Sequence, residues 1–158
     1  MAEVGCTNIF VYGTLKRGQP NHPEMAQQGP TFVCSGVTES LFPLIIGSTW
    51  NLPFLLFVKG TGKRINGEIY KITPKQLSWL DYFEGHPDLY EREKITVITT
   101  NDEGDQPVER EMQCWCYFFK NFDKELLNEP YLDTYDDETL EEGKRYKREE
   151  DIHHRDEL

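Results

Sequence analysis

The chain is short of basic residues and of long apolar runs. Its 158 residues include 17 Lys and Arg against 28 Asp and Glu, which gives a net charge of -11. Because phosphate binding depends on clustered Lys and Arg, this deficit argues against a nucleic-acid partner and against an anionic membrane surface. The longest apolar run, residues 52–58, has the length of a strand and falls far below the roughly 20 residues of a membrane-spanning helix.

Cysteine is also scarce. Cys6, Cys34, Cys114 and Cys116 do not make a disulfide framework in a chain of this length. The first six residues lack the basic flank and apolar segment of a signal peptide. We therefore expect reduced thiols and a cytoplasmic location.

Length and composition predict one domain over residues 1–158. The hydrophobic content of 37% suffices for one sizeable core. Residues 121–158 hold 14 acidic and 6 basic residues, and we expect their acidic runs to be solvated. Tyr131, Tyr135 and Tyr146 should pack back on the core, with an acidic, flexible tail from about residue 147. We expect a monomer.

Apolar residues alternate with a period of two in several segments, which predicts strands. The clearest segments are 9–12, 65–72, 90–97 and 112–119. The last two are joined by a loop at 101–105 and should form a hairpin. Apolar runs at 32–37, 44–46 and 54–58, near Pro43 and Pro53, favour further strands in a sheet curled into a barrel.

One helix is strongly predicted after Thr73. Thr73, Pro74 and Gln76 form a capping signal with proline at the first helical position. Gly85 then ends the helix. At 100° per residue, Glu84 falls inside the apolar arc of this helix. The pattern aims a carboxylate at the interior, although Glu84 at a frayed last turn could instead reach solvent or pair with a buried arginine.

A strand that runs into a glycine turn lies near the N-terminus, at residues 8–18. Such a turn often leaves consecutive backbone N–H groups unpaired, and these can hold a carboxylate, a phosphate or an oxyanion. The turn begins at Gly13, directly after Tyr12, a residue suited both to the core and to a pocket wall.

Other chemically capable residues favour structural roles. Cys114 and Cys116 share one face of a strand and are expected to be small core residues, since no second cluster completes a metal or redox site. We expect His22 in a surface loop, His86 in the turn after the helix, and Asp81 at the polar border of its apolar face.

Five segments together resemble the gamma-glutamylamine cyclotransferases, a branch of the gamma-glutamyl cyclotransferase-like superfamily. The resemblance covers roughly residues 8–148, and the segments occur in the family's order. They are Tyr12-Gly13-Thr14-Leu15-Lys16-Arg17-Gly18-Gln19-Pro20-Asn21-His22, Pro43-Leu44, Gly67-Glu68-Ile69-Tyr70, Leu80-Asp81-Tyr82-Phe83-Glu84 and Asp133-Thr134-Tyr135-Asp136.

The resemblance implies an α+β fold, a small mixed β-barrel with a few helices and a ligand cavity at one mouth. It implies that Tyr12, Gly13, Thr14 and Leu15 bind the gamma-glutamyl group and that Glu84 is the general base. It further implies conversion of ε-(L-gamma-glutamyl)-L-lysine to 5-oxo-L-proline and lysine, in the breakdown of transglutaminase crosslinks, without a metal or other cofactor.

Two alternatives remain at this stage. One is a cyclotransferase for gamma-glutamyl amino acids or glutathione. The other is a barrel of the same fold that binds a small ligand or a protein without catalysis, because a fold can persist after its chemistry is lost. Retention of Glu84 argues against the second.

Overall fold

The computed structural model describes residues 5–100 and 110–148. The strands in chain order are β1 (Thr7–Val11), β2 (Thr31–Thr38), β3 (Leu44–Gly47), β4 (Leu52–Leu55), β5 (Asn66–Ile72), β6 (Glu91–Thr100) and β7 (Glu111–Phe118). Five of these strands close into a barrel in the order β1, β5, β2, β6, β7. Neighbouring barrel strands pair antiparallel, except that β1 meets β7 in parallel at Ile9 and Trp115.

Within the described ranges, two α-helices accompany the barrel, α1 (His22–Gln27) and α2 (Pro74–Glu84). In the described part of the chain after β7, three 3-10 helices occur, at Lys124–Asn128, Asp137–Thr139 and Glu142–Lys144. The predicted class, an α+β fold built on a small mixed barrel, is confirmed. In the described ranges, no helix is long and apolar enough to cross a membrane.

The expectation that residues 44–46 and 54–58 belong to the barrel sheet is wrong. Among the described residues, β3 and β4 form a separate two-stranded sheet, and Leu44 of β3 adds an isolated bridge to Leu132. The second strand also ends earlier than predicted, at Leu55, and the Phe57 side chain lies at the surface.

The alternation in β1 and β7 separates two buried clusters. Phe10, Cys114 and Cys116 belong to the cluster formed by side chains on one face of the barrel strands. Ile9 and Tyr117 belong to a second cluster, which also contains Leu80 of α2. Both faces of these strands are therefore buried, and the cysteines are core residues as predicted.

The helix α2 begins and ends where the sequence predicts. Thr73 Oγ1 accepts a hydrogen bond from Gln76 N at 3.2 Å, and Gln76 Oε1 accepts one from Thr73 N at 2.9 Å. Such a reciprocal cap satisfies two backbone donors that would otherwise lack partners, and its loss costs on the order of 1 kcal/mol. Gly85 stops the helix in the left-handed conformation, with φ 68°.

The helix α1 was not predicted, since His22 was expected in a loop. It has only six residues, and Asn21 at its start makes no side-chain cap. The strand pair expected around the 101–105 loop is present, because β6 and β7 are antiparallel. The loop itself and residues 149–158 of the predicted tail lie outside the described residues.

Candidate active site

All five residues predicted for the site line a single cavity. Tyr12, Gly13, Thr14 and Leu15 form one wall, and Glu84 reaches it from α2. The remaining lining is largely aromatic and apolar, and includes Trp50, Pro53, Phe83, Tyr90, Tyr117 and Tyr146. Two segments separated by about seventy residues of sequence thus meet, as the strand-turn and helix-end patterns together predict.

Glu84 owes its position to the way α2 ends. The N–H of Gly85 donates to Tyr82 O at 3.2 Å, and the N–H of His86 donates to Asp81 O at 2.8 Å. These bonds close the last turn of the helix, so its final residue does not fray. The prediction that Glu84 points into the protein is therefore correct, and the solvent-exposed alternative is not observed.

The surroundings of Glu84 disfavour its charge. In the described part of the chain, no hydrogen bond or ion pair reaches its carboxylate, and the cavity lining has no Lys, Arg or His. Burial raises the pKa of Glu84 from an ordinary value of 4.5 to about 8. The carbonyl end of α2 also disfavours an anion at this position. Glu84 therefore exchanges a proton near neutral pH.

The alternative that Glu84 pairs with an arginine is also excluded, because the nearby arginine pairs with Asp81. Arg92 Nε donates to Asp81 Oδ1 at 2.8 Å, and Arg92 Nη2 donates to Asp81 Oδ2 at 3.1 Å. Burial acts to raise the pKa of Asp81, but hydrogen bonds from Arg92 and Tyr117 outweigh it and lower that pKa overall. Asp81 is thus ionised and anchors the end of α2. The sequence predicted only a polar residue at the border of the apolar face.

A chain of hydrogen bonds links this anchor to the cavity wall. Tyr117 Oη donates to Asp81 Oδ1 at 2.6 Å, and Tyr12 Oη donates to the backbone oxygen of Tyr117 at 2.7 Å. Burial raises the pKa of both tyrosines well above 10, so both hydroxyls stay protonated. The end of α2, β7 and the residue before Gly13 are therefore held together around Glu84.

The Gly13 turn presents unused N–H groups. Its carbonyls are occupied, because Gly13 O accepts from Lys16 N at 3.1 Å and Thr14 O accepts from Asn21 N at 2.9 Å. Within the described ranges, the N–H groups of Gly13, Thr14 and Leu15 donate no hydrogen bond. Unused donors in a turn that lines a cavity are suited to an anion or to a developing negative charge.

The residues after the turn fix it to the barrel. Glu68 on β5 accepts from the Arg17 backbone N–H at 2.9 Å and from Arg17 Nε at 2.8 Å. Tyr70 Oη donates to the same carboxylate at 3.0 Å. On the other side, Lys16 Nζ donates to Tyr135 O at 2.6 Å. Only the motif resemblance drew attention to Glu68, and no sequence pattern predicted these contacts.

Gly13 is required for space. A Cβ atom at this position would lie 2.8 Å from Pro53 Cγ, closer than real Cβ contacts come. Its φ is not positive, whereas that of Gly18 is 80°. The first glycine thus allows β4 to approach the turn, and the second allows the chain to reverse.

The C-terminal strap, which we define as residues 141–148, runs beside the cavity. Asn51 Nδ2 donates to Gly143 O at 3.0 Å and to Arg145 O at 2.8 Å. Tyr146 is the one partly buried residue of the strap, and it lines the cavity. The prediction that Tyr146 packs back on the core is confirmed.

Tyr146 is joined to the Gly13 turn through Asn21. Asn21 Nδ2 donates to Tyr146 Oη at 3.2 Å and to Thr14 Oγ1 at 3.1 Å. The backbone N–H of Tyr146 donates to Asp137 Oδ1 at 2.7 Å. Asp137 is therefore structural, and the expectation that the whole acidic run is merely solvated is wrong at this residue.

The remaining candidates keep structural roles. His22 Nδ1 lies 2.9 Å from Leu15 O, and His86 Nδ1 accepts from Arg92 N at 3.3 Å. Burial raises the pKa of Cys114 to about 12, and that of Cys116 is raised well above its ordinary range. Across residues 5–100 and 110–148, no three His, Cys, Asp or Glu side chains gather closely enough to hold a metal ion.

Comparisons with known proteins agree with the motif resemblance. The family model for gamma-glutamyl cyclotransferase, AIG2-like, matches residues 9–148. The gamma-glutamylaminecyclotransferase of Mus musculus is 40% identical over 134 residues, which cover 83% of this chain and 90% of that protein. The Homo sapiens protein of the same name is 37% identical over 137 residues, with coverage of 82% and 90%.

A solved structure extends the likeness to the fold. The crystal structure of an AIG2-like protein from Mus musculus matches with a TM-score of 0.81 and 37% identity. The match covers 90% of this chain and 96% of the mouse chain. The chain therefore belongs to the gamma-glutamyl cyclotransferase, AIG2-like family.

Proposed function

We propose that the chain is a gamma-glutamylamine cyclotransferase that converts ε-(L-gamma-glutamyl)-L-lysine to 5-oxo-L-proline and free L-lysine. Such isopeptides arise when transglutaminase-crosslinked proteins are degraded, so the reaction is the final cleavage of the crosslink. The observation that carries the proposal is the position of the Glu84 carboxylate in one cavity with the unused N–H groups of residues 13–15. Names of relatives that share about 40% identity support the same activity.

The reaction needs no nucleophile from the protein. The α-amine nitrogen of the substrate attacks its own γ-carbonyl carbon and forms a five-membered lactam. The bond from that carbon to the ε-nitrogen of lysine then breaks, and lysine leaves as an amine. Well-oriented intramolecular attack reaches effective molarities of about 10⁵ to 10⁸ M, so a cavity that holds the substrate folded supplies much of the acceleration.

Glu84 carries the proton between the two nitrogens. Its carboxylate takes a proton from the α-ammonium, and the attacking lone pair is thereby freed. The free α-carboxylate beside this ammonium holds its pKa above the roughly 8 of a peptide terminus. Because burial raises the pKa of Glu84 to about 8, the transfer costs much less free energy than it would with a glutamate in water. The protonated acid then donates to the departing nitrogen, which would otherwise leave as a costly amide anion. The ring nitrogen loses one more proton after the attack, and the freed amine of lysine takes up a proton to become an ammonium.

The described lining has no cationic side chain. The backbone N–H groups of Gly13, Thr14 and Leu15 supply positive electrostatic potential there instead. Their position fits the α-carboxylate of the substrate or the oxyanion that forms on the γ-carbonyl. The ties of Arg17 to Glu68 and of Lys16 to Tyr135 hold the turn in place before the substrate arrives. Little free energy is then spent on ordering it during the reaction.

The same proposal includes a cytoplasmic monomer with no nucleic-acid partner. The net charge of -11 supports the last point, because a polyanion would be repelled. Size-exclusion chromatography with light scattering tests the monomer directly, and a dimer mass would contradict it.

Mass spectrometry of the products tests the reaction. Purified protein in ¹⁸O-labelled water should yield 5-oxoproline without label from ε-(gamma-glutamyl)-lysine, and glutathione tested in parallel separates the two cyclotransferase branches. The analogue acetylated on the α-amine should be inert, as should β-aspartyl-lysine, which would have to close a strained four-membered ring. Labelled glutamate as the product would contradict cyclisation and indicate a hydrolase.

A further inference from the structure

The C-terminal strap is basic in an otherwise acidic chain. It contains Lys144, Arg145, Lys147 and Arg148 against Glu141 and Glu142, a net of +2, whereas the whole chain carries a net charge of -11. The cavity lining described above has no Lys, Arg or His. The strap is therefore a source of positive charge beside a cavity whose own walls have none.

Arg148 is the strap cation that lies against the cavity wall. Its Nη1 is 3.5 Å from Asn21 Oδ1, and its Nη2 donates to Pro20 O. Its guanidinium carbon lies 5.9 Å from the centre of the Tyr146 ring. Because Asn21 and Tyr146 both line the cavity, the guanidinium stands at the rim next to two wall residues.

The other strap cations are directed differently. Arg145 Nε donates to Leu140 O at 3.2 Å, and Lys144 Nζ lies 3.9 Å from Glu129 Oε2. Lys147 is attached through its backbone, whose N–H donates to Trp50 O at 3.0 Å, and its side chain is exposed. Lys147 thus offers a neighbouring positive charge that does not contact the cavity wall, which makes it a matched control.

We propose that Arg148 binds the carboxylate of the leaving amino acid. The inference rests on the proposed function, because in ε-(gamma-glutamyl)-lysine the leaving amine carries an α-carboxylate at the far end of the lysine side chain. The γ-amide lies near Glu84 inside the cavity, so that carboxylate extends toward the mouth. A guanidinium carries five N–H donors, so Arg148 can donate to a carboxylate while it keeps its bonds to Asn21 and Pro20, and it keeps its charge at every working pH.

The subsite acts on binding and leaves the chemical step unchanged. The carboxylate is remote from the bonds that form and break, so its contact with Arg148 is equally strong in the ground state and the transition state. Arg148→Gln should therefore raise KM with kcat nearly constant. Because the site is exposed to solvent, the expected rise is about three- to tenfold at low salt, and less at high salt.

A matched substrate pair tests the subsite. The pair is ε-(gamma-glutamyl)-lysine and the same molecule with a carboxamide in place of the lysine carboxylate. The wild-type protein and Lys147→Gln should both favour the carboxylate. Arg148→Gln should lose that preference, and Arg148→Lys should lie in between.

Two contrary outcomes are distinguishable. If the wild-type protein forms 5-oxoproline and Arg148→Gln keeps the full preference for the carboxylate, the subsite is wrong and the proposed function stands. If the wild-type protein forms no 5-oxoproline from either substrate, the proposed function fails and the subsite fails with it. Circular dichroism of each variant confirms that the comparison is made between folded proteins.

Discussion

The pH dependence of kcat/KM follows from the burial of Glu84. In the proposed mechanism, a productive encounter requires an ionised Glu84 carboxylate and a substrate whose α-amine is protonated. The acid limb of the profile therefore reports the pKa of Glu84, about 8, and the alkaline limb reports the α-ammonium, whose free α-carboxylate keeps its pKa above the roughly 8 of a peptide terminus. We expect a bell with its maximum above pH 8.

The size of the acid limb can be worked out from these values. Near pH 8, about half of Glu84 is ionised and most of the substrate is protonated, so about half of encounters are productive. At pH 6, about one Glu84 in a hundred is ionised. We therefore expect kcat/KM to fall roughly 50-fold from pH 8 to pH 6.

A glutamate in water would behave differently. With a pKa of about 4.3 it would be ionised at both values, and kcat/KM would be nearly the same at pH 6 and pH 8. The assay is the initial rate of 5-oxoproline formation at substrate concentrations well below KM, between pH 5.5 and pH 9.5. A rate that is flat or rises toward pH 6 would refute a buried base with a raised pKa.

Replacement of Glu84 provides the matching control. Glu84→Gln keeps the shape and removes the proton acceptor, so kcat should fall by about 10² to 10⁴-fold or more while 5-oxoproline still binds. Glu125→Gln, at an exposed glutamate, should keep both the rate and the pH profile. Activity of Glu84→Gln within a fewfold of wild type would remove Glu84 from the mechanism.

Three further predictions concern stability, the turn and the thiols. The pKa of Glu84 is higher in the folded than in the unfolded protein, so the free energy of unfolding falls as pH rises from about 4.3 to about 8. Glu84→Gln should therefore raise Tm at pH 9 and not at pH 5. An equal change in Tm at both pH values would contradict the raised pKa. Gly13→Val should prevent 5-oxoproline binding in calorimetry because its Cβ would meet Pro53, whereas Gly143→Ala, with open space around it, should bind normally. Replacing all four cysteines with serine should lower stability but leave a folded, active enzyme that thiol alkylation does not inhibit; loss of activity with the fold intact would indicate a catalytic thiol.

Local patterns in the sequence were enough to predict the parts of the fold that depend on neighbouring residues. The alternation in β1 and β7 divides their buried residues between the two clusters, and the signals at Thr73 and Gly85 give the exact ends of α2. The arc of that helix also places Glu84 correctly. These features arise from periodicity and capping, which act over a few residues and can be read from the sequence.

Contacts between distant segments were not predictable in this way. Asp81 was expected at a polar border, because no local pattern reveals that Arg92 and Tyr117 come within bonding distance of it. Asn21 has the residue type of a helix cap, yet its side chain bonds to Thr14 and Tyr146 instead. Each case depends on a pairing that forms only when the barrel closes.

The two carboxylates of α2 show how one helix supports both a fixed ion and a mobile proton. Asp81 and Glu84 lie three residues apart and therefore one turn along the helix. Hydrogen bonds from Arg92 and Tyr117 lower the pKa of Asp81, so its charge holds the helix end to the barrel across the working pH range. Glu84 has no such partner among the described residues, and burial raises its pKa toward that of the substrate amine. Because Asp81 does not titrate in the same pH range as Glu84, the proton transfers that we propose at Glu84 would leave the helix anchored to the barrel.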